Sequence, residues 1–235
     1  MYWFFRLKLL PYLPFLINEA SGIRRKGIKL PSIAENLSLG SGTSTLLILG
    51  ESTASGVGAS SQENTLAGNF HRILGTSWEI KNIGKNGLKA GSAYEYYKNS
   101  EYLPSGKISG LVLFLGANDC FKLTAPSVFH QQLKSLIDQI SSELHPDWIY
   151  LADIPPVHLF PAFSFRMRSF LKEQRNFLQK EMTELSREHP NLIFEPISLD
   201  LSPDFFSQDQ IHPSDLGYQK IAEFAVDGIR RAGFI

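Results

Sequence analysis

The sequence predicts a doubly wound α/β fold built on a five-stranded, mainly parallel sheet. Three observations carry the prediction. Short apolar runs of strand type recur along the chain, several of them ending in glycine. Between them lie stretches whose apolar residues repeat at helical spacing. One run, "GLVLFLG" at 110–116, is apolar throughout, as a strand covered on both faces of a parallel sheet must be. Strands that alternate with helices wind a sheet with helices packed on it.

The elements follow in order. "TLLILG" (Thr45–Gly50) reads as the first strand, and "NTLAGNFHRILG" (Asn64–Gly75) as a helix with a polar cap residue and a terminal glycine. "WEIKNIG" (Trp78–Gly84) is the second strand and Gly110–Gly116 the third. An amphipathic helix over Ser127–His145 leads to the fourth strand, "DWIYLADI" (Asp147–Ile154). A long helix from about Phe165 to Glu188 leads to a short fifth strand, "NLIFEPI" (Asn191–Ile197). "PSDLGYQKIAEFAVDGIRRAG" closes the chain as a helix, with Gly233 as its stop. There is no internal repeat and no low-complexity linker.

A chain of 235 residues suits one domain, here 41–235, with an N-terminal arm over 1–40. Lysine and arginine balance aspartate and glutamate, so there is no electrostatic case for binding nucleic acid. The single cysteine, Cys120, excludes an internal disulfide and reads as a small buried filler. The six histidines show none of the spacings of metal ligands, so no metal and no cofactor is expected.

The arm begins "MYWFFRLKLLPYLPFLINEASGIRRKG". Its apolar run is interrupted by Arg6 and Lys8 and then by Pro11 and Pro14, and it is too short to span a bilayer. A secretory signal would place its basic residues ahead of the apolar run and end at a small-residue cleavage site, which "INEASG" is not. The expectation is a cytoplasmic chain whose arm packs on the domain. The alternative is peripheral contact of residues 1–25 with a membrane surface.

In a doubly wound sheet the working residues sit at the carboxyl ends of the strands. After the first strand come Glu51 and Ser52. After the second comes "NIGKNG", with Asn82, Gly84 and Gly87. After the third comes "GANDC", with Asn118 and Asp119. Before the last helix comes "DQIH", with Asp209 and His212. Each has an ordinary structural role available. Ser52 could be a turn or N-cap residue, Asn82, Gly84 and Gly87 turn formers, and Asn118 and Asp119 an Asx-turn. Asp209 could be a loop acid and His212 a helix-start residue. Together they match the parts list of acyl transfer: nucleophile, base, orienter and oxyanion donors.

"GEST", "NIGKNG", "GAND" and "DQIHPSDLGY" resemble the four sequence blocks of the SGNH/GDSL hydrolases. The resemblance runs from Thr45 to the end of the chain. It implies a flavodoxin-like, three-layer α/β/α fold, with Ser52 as nucleophile and Asp209 and His212 completing the triad. Gly87 and Asn118 match the oxyanion-hole residues. It also implies cleavage of short- to medium-chain carboxylic esters through an acyl-enzyme, as in GDSL-type carboxylesterases and lipases. "DIPPVHLFP" (Asp153–Pro161) is more loosely similar to bacterial members. One residue departs from the pattern: Glu51 stands where the family usually has aspartate, which puts the bonding around the nucleophile turn in question. The same parts would serve an acyltransferase or deacetylase acting on sugar or lipid esters. A non-catalytic carbohydrate-binding module of this fold is a further alternative.

The chemistry is consistent with that assignment. A serine hydroxyl needs a base within hydrogen-bond reach, and His212 is placed beside the working edge. Asp209, three residues earlier, could bind Nδ1 and leave Nε2 facing Ser52. The backbone N–H groups of Ser52 and Gly87 and the Asn118 carboxamide could receive the oxyanion, and glycine at 87 would allow close backbone approach. Rival motifs fail. The elbow G-x-S-x-G meets Ala54 in place of its last glycine, "GESTASGVG" lacks the P-loop lysine, and Asn82 stands where a dinucleotide site needs its first glycine. His158 is expected to pack a loop or line the acyl pocket. Phe160, Phe163 and Phe165 are expected to wall an apolar site or join the core.

Overall fold

The computed structural model describes residues 2–235. Its strands are β1 (Asn36–Leu39), β2 (Ser44–Gly50), β3 (Trp78–Gly84), β4 (Gly110–Phe114), β5 (Trp148–Ala152) and β6 (Leu192–Glu195). Its α-helices are α1 (Tyr2–Leu9), α2 (Leu13–Lys26), α3 (Leu66–Leu74), α4 (Ala90–Lys98), α5 (Ala117–Phe121), α6 (Pro126–Leu144), α7 (Phe165–Glu188) and α8 (Asp215–Arg231).

The sheet runs β1-β3-β2-β4-β5-β6, with β1 antiparallel to β3 and every other neighbouring pair parallel. The five parallel strands thus take the order second, first, third, fourth, fifth, which is the flavodoxin-like winding. The order reverses between β2 and β4. That switch point is where such a sheet opens a crevice at its carboxyl edge.

The expected five strands are corrected to six. The extra strand, β1, is the four-residue edge "NLSL", in which only Leu37 is buried. Four residues on a solvated edge carry too little alternation to register as a strand in the sequence. Its pairing partner reveals it: Leu37 sits opposite Asn82 and Leu39 opposite Ile80. The sheet therefore begins at Asn36, ahead of the boundary expected at residue 40. Four helices were also unforeseen: α1 and α2 of the arm, α4 with Gly91 and Ser92 near its start, and the five-residue α5. Glycine and serine are weak helix formers, and α5 is shorter than two turns.

The core forms on both sides of the central strands. Leu46, Leu47, Ile48 and Leu49 of β2 and Leu111, Val112 and Leu113 of β4 are fully buried. Each such side chain contributes about 1.5–3 kcal/mol on leaving water. Helix α3 packs on α8, while α6 packs on α4 and α7. Three helices are capped by the side chain of their own N-cap residue: Thr65 accepts from the Gly68 amide, Ser164 from Met167 and Ser214 from Gly217.

The arm folds as two helices. Pro11 and Pro14 stand where helices begin, positions at which the missing N–H is harmless. Helix α1 buries Phe5 and Leu9 beside Phe170 of α7, and Lys8 pairs with Glu173 at 2.7 Å. Helix α2 buries no residue fully. The Glu19 carboxylate ties it down by accepting from the Ser164 amide at 2.8 Å and from the Ser164 hydroxyl at 2.7 Å. Among the described residues no helix is long and apolar enough to cross a membrane.

Candidate active site

Ser52 follows Glu51 at the carboxyl end of β2, where the chain turns sharply. The ends of the flanking strands pin the turn. The Glu51 amide donates to Phe114 O at 2.9 Å, and Lys85 N donates to Gly50 O at 3.0 Å. Inside the turn Ser55 N donates to Glu51 O and Val57 N to Ser52 O. The Asn82 carboxamide donates to Ala34 O and Ala54 O, clasping the turn from β3. Gly84 has no alternative here, because a Cβ on it would stand 2.4 Å from Ser55 N.

Glu51 answers the question that its extra methylene raised. Its carboxylate reaches across to the start of α5 and accepts from Ala117 N at 2.8 Å, Asn118 N at 2.9 Å and Asn118 Nδ2. Three N–H donors thus converge on one buried carboxyl group, and they fix the Asn118 side chain. One Nδ2 hydrogen is engaged, and the amide has a second to offer. Burial pushes the Glu51 carboxyl up to about 7, against the lowering effect of those hydrogen bonds.

The second carboxylate lies in the turn before α8. Gln210 takes a left-handed φ of +59°, which folds the segment tightly, and Ser207 N closes it on His212 O at 2.8 Å. Asp209 then accepts from Ser207 Oγ, Ile211 N and His212 N, and His212 Nδ1 lies 2.6 Å from its Oδ2. Burial raises the Asp209 carboxyl, but the His212 ring and amide and the Ile211 amide outweigh it and hold the group at about 2. With Nδ1–H on the carboxylate, Nε2 is left free to accept a proton.

Ser52, Asn118 and His212 line one cavity of about 490 Å³. Thr53, Asn86 and Pro213 line it beside them, and Phe160, Phe163, Met167 and Phe170 wall it further out. The arm closes one side, with Leu9, Leu13, Leu16, Ile17, Ala20 and Ile23 facing in. Few polar groups converge in a largely apolar hollow, as in sites that hold an apolar substrate in one orientation.

The profile of the GDSL-like Lipase/Acylhydrolase family matches residues 48–220. The chain belongs to this family. The fold of the GDSL-like protein agrees with solved structures of low sequence identity. A putative lipolytic protein of the G-D-S-L family from Desulfitobacterium hafniense is 17% identical with a TM-score of 0.62, covering 79% of this chain and 99% of that one. The psychrotrophic esterase EstA from Pseudoalteromonas sp. is 18% identical with a TM-score of 0.63, covering 80% and 97%. An acetylxylan esterase from Geobacillus stearothermophilus, solved as a catalytic mutant, is 16% identical with a TM-score of 0.57, covering 84% and 97%. No curated protein matches by sequence.

The other residues singled out in this GDSL-like chain divide clearly. Gly87 is exposed, and it is its neighbour Asn86 that lines the cavity. Gly87 has φ +83°, and a Cβ there would meet none of the described residues within 4 Å. Its backbone conformation favours glycine, and the tightest approach to the nucleophile turn itself is at Gly84. Asp119 caps α4 by accepting from Ala90 N at 3.0 Å and also binds Thr124 Oγ1. Burial raises its pKa, against the lowering effect of those hydrogen bonds. Cys120 is fully buried. Of the three phenylalanines, Phe160 and Phe163 wall the cavity and Phe165 faces solvent. His158 is half-buried and does not line the cavity. The arm's contribution to the cavity wall and the reach of Glu51 to Asn118 were not foreseen, because both depend on contacts between residues far apart in the chain.

Proposed function

We propose that the chain hydrolyses carboxylic esters through an acyl-enzyme formed on Ser52. One observation carries the reading: His212, held by Asp209 at 2.6 Å, lines the same cavity as Ser52 and Asn118. A carboxylate on Nδ1, a free Nε2, a hydroxyl and a braced carboxamide at one hollow are the requirements of serine catalysis.

In this mechanism Ser52 Oγ attacks the acyl carbon and its proton passes to His212 Nε2. Asp209 holds the ring and offsets the imidazolium charge. The Asn118 Nδ2 hydrogen not taken by Glu51, with the amides of Ser52 and Gly87, stabilises the oxyanion. Collapse of the intermediate breaks the ester C–O bond, and the imidazolium returns its proton to the departing alcohol. Water then attacks the acyl-enzyme by the same route and releases the acid. The apolar cavity favours acyl groups longer than acetyl, since burial of each methylene contributes about 0.8 kcal/mol.

A fluorophosphonate probe tests the nucleophile. The wild type should take one label per chain, and Ser52→Ala should take none and lose ester turnover. A panel of soluble esters of graded acyl length should show kcat/KM rising beyond acetyl. A wild type that ignores the probe and cleaves no ester would leave the binding-module reading in place.

A further inference from the structure

The surface of the arm opposite the cavity is unusual for a protein face in water. Trp3 is 67% exposed, Phe4 71%, Phe15 64% and Ile17 61%, with Leu7 and Leu10 exposed beside them. Phe165 is 89% exposed and follows Ser164, the residue that Glu19 of α2 grips. Isolated exposed apolar residues are ordinary, but so many on two short helices form a patch that marks an interaction surface. Helix α2 itself buries no residue fully, so its apolar side chains are divided between the cavity and the outside. Ile17 belongs to both, lining the cavity while exposed, and therefore the hollow opens next to the apolar patch.

Charge selects the partner. Residues 2–29 hold six basic side chains (Arg6, Lys8, Arg24, Arg25, Lys26 and Lys29) against one acid, Glu19, a net of +5. The whole chain sums to zero, so residues 30–235 carry −5. A second copy using the same patch in a two-fold contact would set +5 against +5. An anionic lipid surface instead attracts each cation and accepts the aromatic and aliphatic side chains at its headgroup boundary. Arg24 continues the basic strip to the cavity wall.

We propose that α1 and α2 dock the protein on an anionic bilayer and that the ester it cleaves is carried by a membrane amphiphile, whose acyl chain enters the arm-walled cavity. The docking stands on the arm's surface alone, whereas the substrate class rests on the reading of Ser52 as nucleophile.

The test uses the full chain with vesicles of phosphatidylcholine alone and of equal parts phosphatidylcholine and phosphatidylglycerol. Sedimentation should show binding to the anionic vesicles that weakens as salt is added. The emission of Trp3, much more exposed than Trp78 and the buried Trp148, should shift to the blue on binding. Arg25→Glu, Lys26→Glu and Lys29→Glu together should weaken partition roughly a hundredfold or more, at about one cation's attraction per residue removed. Trp3→Ser, Phe4→Ser and Phe15→Ser together should abolish the shift and the binding. Both variants should turn over a soluble short-chain ester like the wild type, which shows that they fold, and should lose turnover of a vesicle-borne acyl ester in step with binding. Wild type that stays in the supernatant overturns the docking. So does equal partition of the charge variant, or a self-association that the aromatic variant dissolves without any vesicle binding. Turnover of the soluble ester with the vesicle-borne ester untouched overturns the substrate class. Vesicle binding without turnover of any ester upholds the docking and overturns the hydrolase reading.

Discussion

The turn after β2 places a carboxylate, Glu51, at the cavity wall, the turn before α8 places another, Asp209, behind the His212 ring, and the two behave in opposite ways. Glu51 is fully enclosed and receives three N–H groups, yet burial prevails and its pKa rises to about 7. Asp209 is covered but lies at shallower depth and receives the imidazole as well as neutral donors, and its pKa falls to about 2. Hydrogen-bond number does not separate them. Depth and a partner able to carry positive charge do. The difference suits two tasks. Asp209 stays ionised opposite the ring that gains a proton in the proposed mechanism, while Glu51 braces Asn118 from within the protein.

The sharpest way to break the contrast is at Asp209. Asp209→Asn leaves the turn's shape but removes the negative charge and offers Nδ1 the wrong partner. We expect kcat to fall by about three to four orders of magnitude with the fold retained, as measured by steady-state kinetics beside a thermal melt. A loss below tenfold would mean that His212 is oriented by something else. Asn118→Ala comes next. It removes the proposed side-chain oxyanion donor, and kcat should drop about a hundredfold or more with KM little changed. Damage confined to thermal stability would reduce Asn118 to a turn residue.

Glu51→Gln is the mildest of the three for turnover and the most telling for pH. Gln presents a donor where Asn118 N and Nδ2 already point, so the brace loosens and kcat should fall about tenfold, an order smaller than loss of the oxyanion donor itself. For Glu51 the folded pKa lies above the ordinary 4.5. Its contribution to stability is therefore fully present below pH 4.5 and is lost as pH rises through about 7. Asp209 runs the other way, contributing above its ordinary 3.8 and losing that contribution as pH falls through about 2. Across pH 4.5 to 7 only the first effect operates. The stability gap between wild type and Glu51→Gln should narrow by about 3 kcal/mol over that span, measured by urea unfolding at several pH values. A constant gap would show that Glu51 keeps its charge throughout.

The sequence by itself determined the parallel core of the sheet, the long helices and the residues gathered at the sheet's carboxyl edge. Apolar runs such as Leu46–Leu49 and the repeat of α7 are short-range patterns, and short-range patterns are what side-chain periodicity encodes. Ser52, Asn118, Asp209 and His212 were legible as candidates, since strand ends and turn residues mark where a doubly wound sheet exposes its edge and their short sequence blocks resemble those of a known family. Only the tertiary structure decided the rest. It paired "NLSL" with β3 as a sixth strand, a match made by register with Asn82 and not by any pattern within four residues. It carried the Glu51 carboxylate to Ala117 and Asn118, sixty-six and sixty-seven residues away in the chain. It laid the arm along α7, turning Leu13 and Leu16 toward the cavity and Trp3 and Phe4 toward solvent. The apolar composition of residues 2–26 is the same in either orientation. Which side chains point inward is settled by the surface that α7 presents, and that surface exists only once the domain has folded.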